Sequence, residues 1–267
     1  MKRVLGRTAA EGRAALVPFL TVGDPDLETS REAILAAAEG GADLIELGVP
    51  FSDPIADGPV IQAASQRALA AGASLPRVLE TVSWLRERSD VPVILFGYAN
   101  PFFRYGEQAL ARDAAAAGVD GLLVVDLPPE EAAATVAACR SVGIDRIFLL
   151  APTSDEARMK AVARVASGFV YFVSVTGVTG ARTAAPSGIE AQVEQVRRMT
   201  GLPVGVGFGI STGEQAASVA RYADLVIVGS ALVRTVHEAG RARAAAACRR
   251  FVEDLRAAVA RSERGAR

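Results

Sequence analysis

The 267-residue chain balances 29 Lys and Arg against 30 Asp and Glu, a formal net charge of -1, and is 51% hydrophobic. That composition excludes an electrostatic footprint for nucleic acid or an anionic membrane and is too apolar for a disordered chain, which leaves a small-molecule role as the default. Two cysteines far apart, Cys139 and Cys248, and a single histidine, His237, argue against a disulfide framework, a metal centre and a Ser-His-Asp hydrolase.

In chain order, residues 1–13 predict a short lead-in helix lying across the bottom of the fold, with no apolar stretch of signal-peptide length. From residue 15 onward, short β-rich apolar runs recur about every 25 residues, at 15–21, 44–48, 91–96, 121–125, 144–149, 169–173, 204–206 and 225–228. Between them, helix openings are marked by Asp26 with Glu28, Ser74 with Pro76, Pro128 to Glu131, Ser154 with Glu156, Ser187 before Ile189, and Ser211 with Glu214. This alternation calls for a parallel sheet with helical crossovers, and eight repeats are the number that closes a barrel. The predicted fold class is α/β: a single (β/α)8 TIM-barrel domain over residues 1–267 with a short N-terminal lead-in helix. A doubly wound open sheet ranks below it, because no G-x-G-x-x-G follows the first run and no linker divides the chain. The last helix carries Ala245, Cys248, Val252, Leu255 and Val259 on one stripe, with its arginines as a solvated face. His237 reads as an exposed surface residue. No run reaches the roughly 18 apolar residues of a membrane span, so a soluble, cytoplasmic protein is expected.

The segment 44–59, LIELGVPFSDPIADGP, places two carboxylates in unusual settings. Side chains alternate along a strand, so Leu44, Glu46 and Gly48 share one face while Ile45, Leu47 and Val49 share the other. Glu46 then points to a buried side, where it is either a structural carboxylate bonded to backbone or an acid–base group whose pKa burial has raised. Asp57 precedes Gly58-Pro59, and spacing favours a helix N-cap for it over chemistry.

Active sites of such barrels form at the C-terminal ends of the strands. After the sixth, seventh and eighth runs come Ser174-Val175-Thr176-Gly177-Val178-Thr179-Gly180, Gly207-Phe208-Gly209-Ile210-Ser211 and Gly229-Ser230-Ala231. Their joint placement suits a phosphate held by backbone N–H groups and a helix N-terminus, against the alternative that they serve only tight turns. Phe19, Tyr98, Phe102, Tyr171 and Phe208 sit at or just beyond strand ends, either as core or as the lining for a flat apolar group.

Taken in order, Pro18-Phe19-Leu20-Thr21-Val22-Gly23-Asp24-Pro25, the run from Glu46 to Pro59, Gly97-Tyr98-Ala99-Asn100-Pro101, Asp126-Leu127-Pro128, Gly177-Val178-Thr179-Gly180, Gly207-Phe208-Gly209-Ile210 and Gly229-Ser230 resemble the tryptophan synthase alpha chain family. The resemblance implies cofactor- and metal-free cleavage of indole-3-glycerol phosphate to indole and glyceraldehyde 3-phosphate. It implies that Glu46 shuttles a proton and Asp57 accepts the indole N–H. Phe19, Ile61 and Phe96 would surround the indole and Tyr171 would support Glu46. Gly180, Gly209, Gly229 and Ser230 would hold the phosphate, and Thr179 would latch onto Asp57 as loops 174–185 and 51–59 order together. Val175-Thr176 departs from the Arg-Ala of some members. The implied partner is a pyridoxal-phosphate-dependent beta chain in an α2β2 assembly, the cofactor belonging to that partner alone. Rim loops bearing Asp53, Pro54, Asn100, Pro101, Phe102 and Pro128 are the expected docking surface. Two alternatives stand beside this reading: an interaction subunit whose main task is to switch a partner enzyme, and another sugar-phosphate barrel enzyme.

Overall fold

Eight parallel strands close on themselves in chain order, β8 pairing back onto β1 with Ala15 beside Leu225. The computed structural model describes residues 1–173, 188–207 and 209–262. The first half runs α1 (Lys2–Ala10), β1 (Ala15–Thr21), α2 (Leu27–Glu39), β2 (Ile45–Gly48), α3 (Pro59–Ala70), α4 (Leu75–Arg86), β3 (Val93–Gly97), α5 (Ala99–Tyr105), α6 (Glu107–Ala117) and β4 (Gly121–Val124). The second half runs α7 (Ala133–Ser141), β5 (Asp145–Leu150), α8 (Glu156–Val165), β6 (Val170–Val173), α9 (Ile189–Thr200), β7 (Val204–Gly207), α10 (Gly213–Ala220), β8 (Leu225–Val228), α11 (Ser230–Ala239) and α12 (Ala244–Ala260). Each predicted run holds a strand, with ends displaced by two residues at most.

The two faces of the strands feed two separate cores. Outward residues such as Leu16, Ile45, Leu47, Leu95 and Phe148 pack under the helices. Inward residues, among them Val17, Leu44, Ile94, Ile147, Phe169 and Leu225, fill the lower barrel together with Val4 and Leu5 of α1. The lead-in helix therefore plugs the bottom, as its sequence predicts. The Met1 side chain completes the plug. A Cβ on Gly121 or Gly168 would lie 3.0 or 2.7 Å from its terminal carbon.

Three acidic residues at strand starts tie the bottom rim together. Asp43 accepts from Leu16 N–H and pairs with both Arg13 terminal nitrogens at 2.7 and 2.8 Å. Asp120 accepts from Val93 N–H and pairs with Arg86 at 2.7 Å. Asp224 accepts from Val204 N–H and pairs with Arg197 at 3.0 Å. Each joins two neighbouring strands through one carboxylate.

Helix openings follow the sequence at α2, where Asp26 accepts from Thr29 N–H, and at α4, which follows Ser74 and carries an early Pro76. Three others shift. Asp155 caps α8 through Arg158 N–H, because the Ser154 hydroxyl is taken by Ala151 N–H. Thr212 caps α10 in a reciprocal box with Gln215, one residue beyond Ser211. Residues 128–131 form a turn closed by Glu131 N–H on Pro128 O, so α7 opens only at Ala133. Ser187 lies outside the described residues. On α12, Cys248, Val252, Leu255 and Val259 of the expected stripe are buried while Ala245 is half-buried, and His237 of α11 is exposed.

Candidate active site

Period-two alternation aims Glu46 inward, above Leu44 and below Gly48. It is 1% exposed, and neither carboxyl oxygen has a hydrogen-bond partner among the described residues. Burial without a partner disfavours the charged form, and it pushes the Glu46 carboxyl up to about 8. Gly48 leaves room for the Phe19 ring, which a Cβ there would meet at 2.5 Å. Phe19 in turn packs edge-on against Phe96, centroids 5.3 Å apart, and joins Ile61, Ala64 and Val233 in a small apolar cluster at the mouth. The three residues expected around a flat ring thus come together at the mouth, Phe19 and Phe96 from the strands adjoining that of Glu46 and Ile61 from α3.

Asp57 corrects the reading from spacing. Gly58 is the residue at the N-cap of α3, so Asp57 is displaced outward from the capping position. Its loop is fastened instead from two sides: Gln62 of α3 donates to the Asp57 carbonyl at 2.8 Å, and Ala56 N–H donates to the Tyr98 hydroxyl at 3.1 Å. Burial pushes the Asp57 carboxyl up to about 6, against the pull of a hydrogen bond from Tyr98. Neither Tyr98 nor Gln62 stood out in sequence as a support for Asp57. The hint was only that Tyr98 follows a strand.

Tyr171 of β6 connects the two acids. Its hydroxyl titrates well above its ordinary range, through burial first and then through the charges of Glu46 and Asp57. Both carboxyls therefore act on one phenol from the same mouth. Gly207 of β7 makes space for that phenol, because a Cβ there would collide with the hydroxyl oxygen.

Of the expected phosphate contacts, Gly209 has φ +67° in the loop after β7, a conformation that favours glycine. Gly229 precedes α11 and Ser230 opens it, so ten residues of helix point their N-terminus at the mouth beside Phe19. Thr179, Gly180 and Phe208, with the loop 174–185, lie outside the described residues. On the rim, Asp53 and Asn100 are exposed while Pro101 and Pro128 are half-buried. Pro54 and Phe102 are buried, contrary to their expected role on a docking surface. Phe102 turns inward because Gly97 opens a slot for its ring. The large apolar side chains exposed there are Ile55, at 86%, and Phe103, at 50%.

Among the described residues no group of His, Cys, Asp and Glu is placed to hold a metal ion, and no helix is long and apolar enough to cross a membrane. A closed eight-stranded barrel with two weakly acidic carboxyls at its mouth, one of them without a partner among the described residues, beside an aromatic wall is the architecture of an enzyme for an apolar, ring-bearing small molecule.

The profile of the tryptophan synthase alpha chain family matches residues 5–260, and the chain belongs to that family. It is 60% identical to the tryptophan synthase alpha chain of Citrifermentans bemidjiense over 88% of this chain and 89% of the relative. It is 52% identical to that of Geobacter sulfurreducens over 97% and 99%. Among solved structures, the alpha subunit from Legionella pneumophila superposes with a TM-score of 0.90 at 39% identity, covering 97% of both chains. Tryptophan synthase from Mycobacterium tuberculosis gives 0.89 at 42%, covering 96% of both. The chain is accordingly a lyase of tryptophan biosynthesis that acts on indole-3-glycerol phosphate.

Proposed function

We propose that Glu46 and Asp57 carry the cleavage of indole-3-glycerol phosphate into indole and glyceraldehyde 3-phosphate, without a cofactor of the chain's own. The observation that carries this reading is that Glu46, fully buried with neither oxygen partnered among the described residues, sits beside the Phe19–Phe96–Ile61 wall; burial raises its carboxyl and that of Asp57 to about 8 and about 6. Near pH 7 Glu46 enters protonated and Asp57 ionised. Protonated Glu46 gives its proton to indole C3, and ionised Asp57 accepts the hydrogen bond of the ring N–H, whose nitrogen gains positive charge. The resulting Glu46 carboxylate then takes the proton of the adjacent glycerol hydroxyl. The bond from C3 to the side chain breaks, its electron pair returns to the indole ring, and the hydroxyl carbon becomes the aldehyde. The proton that Glu46 lost has been replaced, so the cycle balances.

Phe19, Ile61, Phe96 and Phe208 sandwich the indole in this scheme. Gly180, Gly209, Gly229 and Ser230 hold the phosphate through N–H donors and the α11 terminus. Thr179 latches onto Asp57 on closure. Indole is apolar enough to escape through membranes, which favours direct transfer to a pyridoxal-phosphate-dependent beta chain in a cytoplasmic α2β2 assembly. Exposed Ile55 and Phe103, flanked by Asp53 and Asn100, support docking at this rim.

Indole release by the purified chain, alone and with a beta chain, tests the scheme. Glu46→Gln and Asp57→Asn each lower kcat by on the order of 10² to 10⁴ while leaving affinity for glycerol 3-phosphate unchanged. Near-normal turnover in either variant removes that residue from the mechanism. For the free enzyme, kcat/KM against pH rises near 6 as Asp57 ionises and falls near 8 as Glu46 loses its proton.

A further inference from the structure

We propose that Tyr98 is a positioning residue for the cleavage: its hydroxyl, fixed by Ala56 N–H, donates to the Asp57 carboxylate and holds it ionised and aimed at the indole nitrogen. The inference rests on the reading of Asp57 given above.

The Tyr98 ring is buried directly after β3 and stacks against Phe51 at 5.3 Å, so the loop bearing Asp57 is clasped at both its start and its end by one side chain. Its hydroxyl accepts from Ala56 N–H at 3.1 Å. That bond uses the oxygen's lone pair and turns its proton toward the next residue, Asp57, which receives it. A donor to the charged form of a carboxylate favours that form, so Tyr98 opposes the burial that would otherwise leave Asp57 neutral. The other titratable groups at hand are all potential anions. Glu46 of β2 and Tyr171 of β6 share the mouth, and Asp126 after β4 stands behind Tyr98 with its carboxylate accepting from Ala99 N–H at 2.7 Å. Burial first, then Asp57 and Asp126, raise the titration of Tyr98 against the opposing pull of Ala56 N–H, so Tyr98 stays protonated and remains a donor throughout the working range. A tyrosine present only to pack on Phe51 would be replaceable by phenylalanine without effect.

Tyr98→Phe is therefore the decisive variant, assayed as the full chain with indole-3-glycerol phosphate across pH, with and without a beta chain. The acid limb of kcat/KM moves up by about one pH unit, as expected for a lost hydrogen bond to a charged group. At a pH below the shifted limb kcat falls about tenfold, whereas KM, set largely by phosphate contacts, stays within about twofold. The double variant with Asp57→Asn is no slower than Asp57→Asn alone, because both act through one carboxylate. 3-Fluorotyrosine placed at position 98, a stronger donor of nearly the same shape, moves the limb down and covers a Phe variant that does not fold. A limb that stays put with either replacement, or losses that multiply in the double variant, overturns the role of Tyr98. Full turnover in Asp57→Asn overturns the underlying reading of Asp57, and with it this one.

Discussion

Asp43, two residues before β2, and Glu46, inside it, stand three residues apart and meet opposite surroundings. Both are almost wholly buried. Asp43 accepts two Arg13 hydrogen bonds and a backbone N–H, whereas Glu46 has no partner among the described residues. The bottom rim repeats the first arrangement with Asp120 and Asp224, and the mouth repeats the second, more mildly, with Asp57. A buried carboxylate with an arginine serves as a fastener, and one without any cation becomes a weak acid able to hand over a proton at neutral pH. The barrel separates the two uses by strand polarity.

The comparison breaks most visibly through pH. The folded-state value for Glu46, about 8, lies above the ordinary 4.5, so the neutral carboxyl contributes stability that is complete below pH 4.5 and gone above 8. Relative to Glu46→Gln, the native chain should lose on the order of 4 kcal/mol between pH 5 and pH 9, measured by urea unfolding. Parallel profiles for the two proteins would mean that Glu46 is ionised in the fold. Next, Asp43→Asn takes from the buried Arg13 its buried carboxylate partner and should cost about 3 kcal/mol of stability while leaving kcat unchanged below the unfolding range. A fall in kcat would join the two carboxylates that the comparison separates. Gly207→Ala drives a methyl into the Tyr171 hydroxyl and should cost roughly 1–3 kcal/mol in stability together with much of the turnover. An intact kcat would free Tyr171 from any part in the site. The smallest effect belongs to Thr212→Ala, which removes the α10 cap for about 1 kcal/mol with no change in activity, showing that a residue near the mouth can be purely structural.

What could be read in advance follows the range of the forces. Strand runs, the burial of Glu46 and the Asp26 cap depend on near neighbours in sequence, and the structure keeps them. Asp57 did not yield to spacing because its environment arrives from elsewhere: Tyr98 lies 41 residues downstream and Tyr171 comes from β6. Phe102 departs from the expected rim position for the same reason, since the space that receives it is created by Gly97 and lined by Val49 on the neighbouring β2 side. Helix starts shifted where two adjacent residues could both cap and a third decided between them, as Ala151 does for Ser154.

One residue belongs to both levels of the barrel interior. Phe96 packs against the filled lower core and also against the Phe19 cluster above it. Trimming it to admit a larger ring would also remove packing from the body of the protein, at a cost below the roughly 3–5 kcal/mol of a fully buried phenylalanine because Phe96 is half-buried. Ile61 on α3 and Val233 on α11 touch the upper cluster alone. Descendants of this chain that accept bulkier bicyclic substrates should therefore carry their changes on the helical flank and keep Phe96.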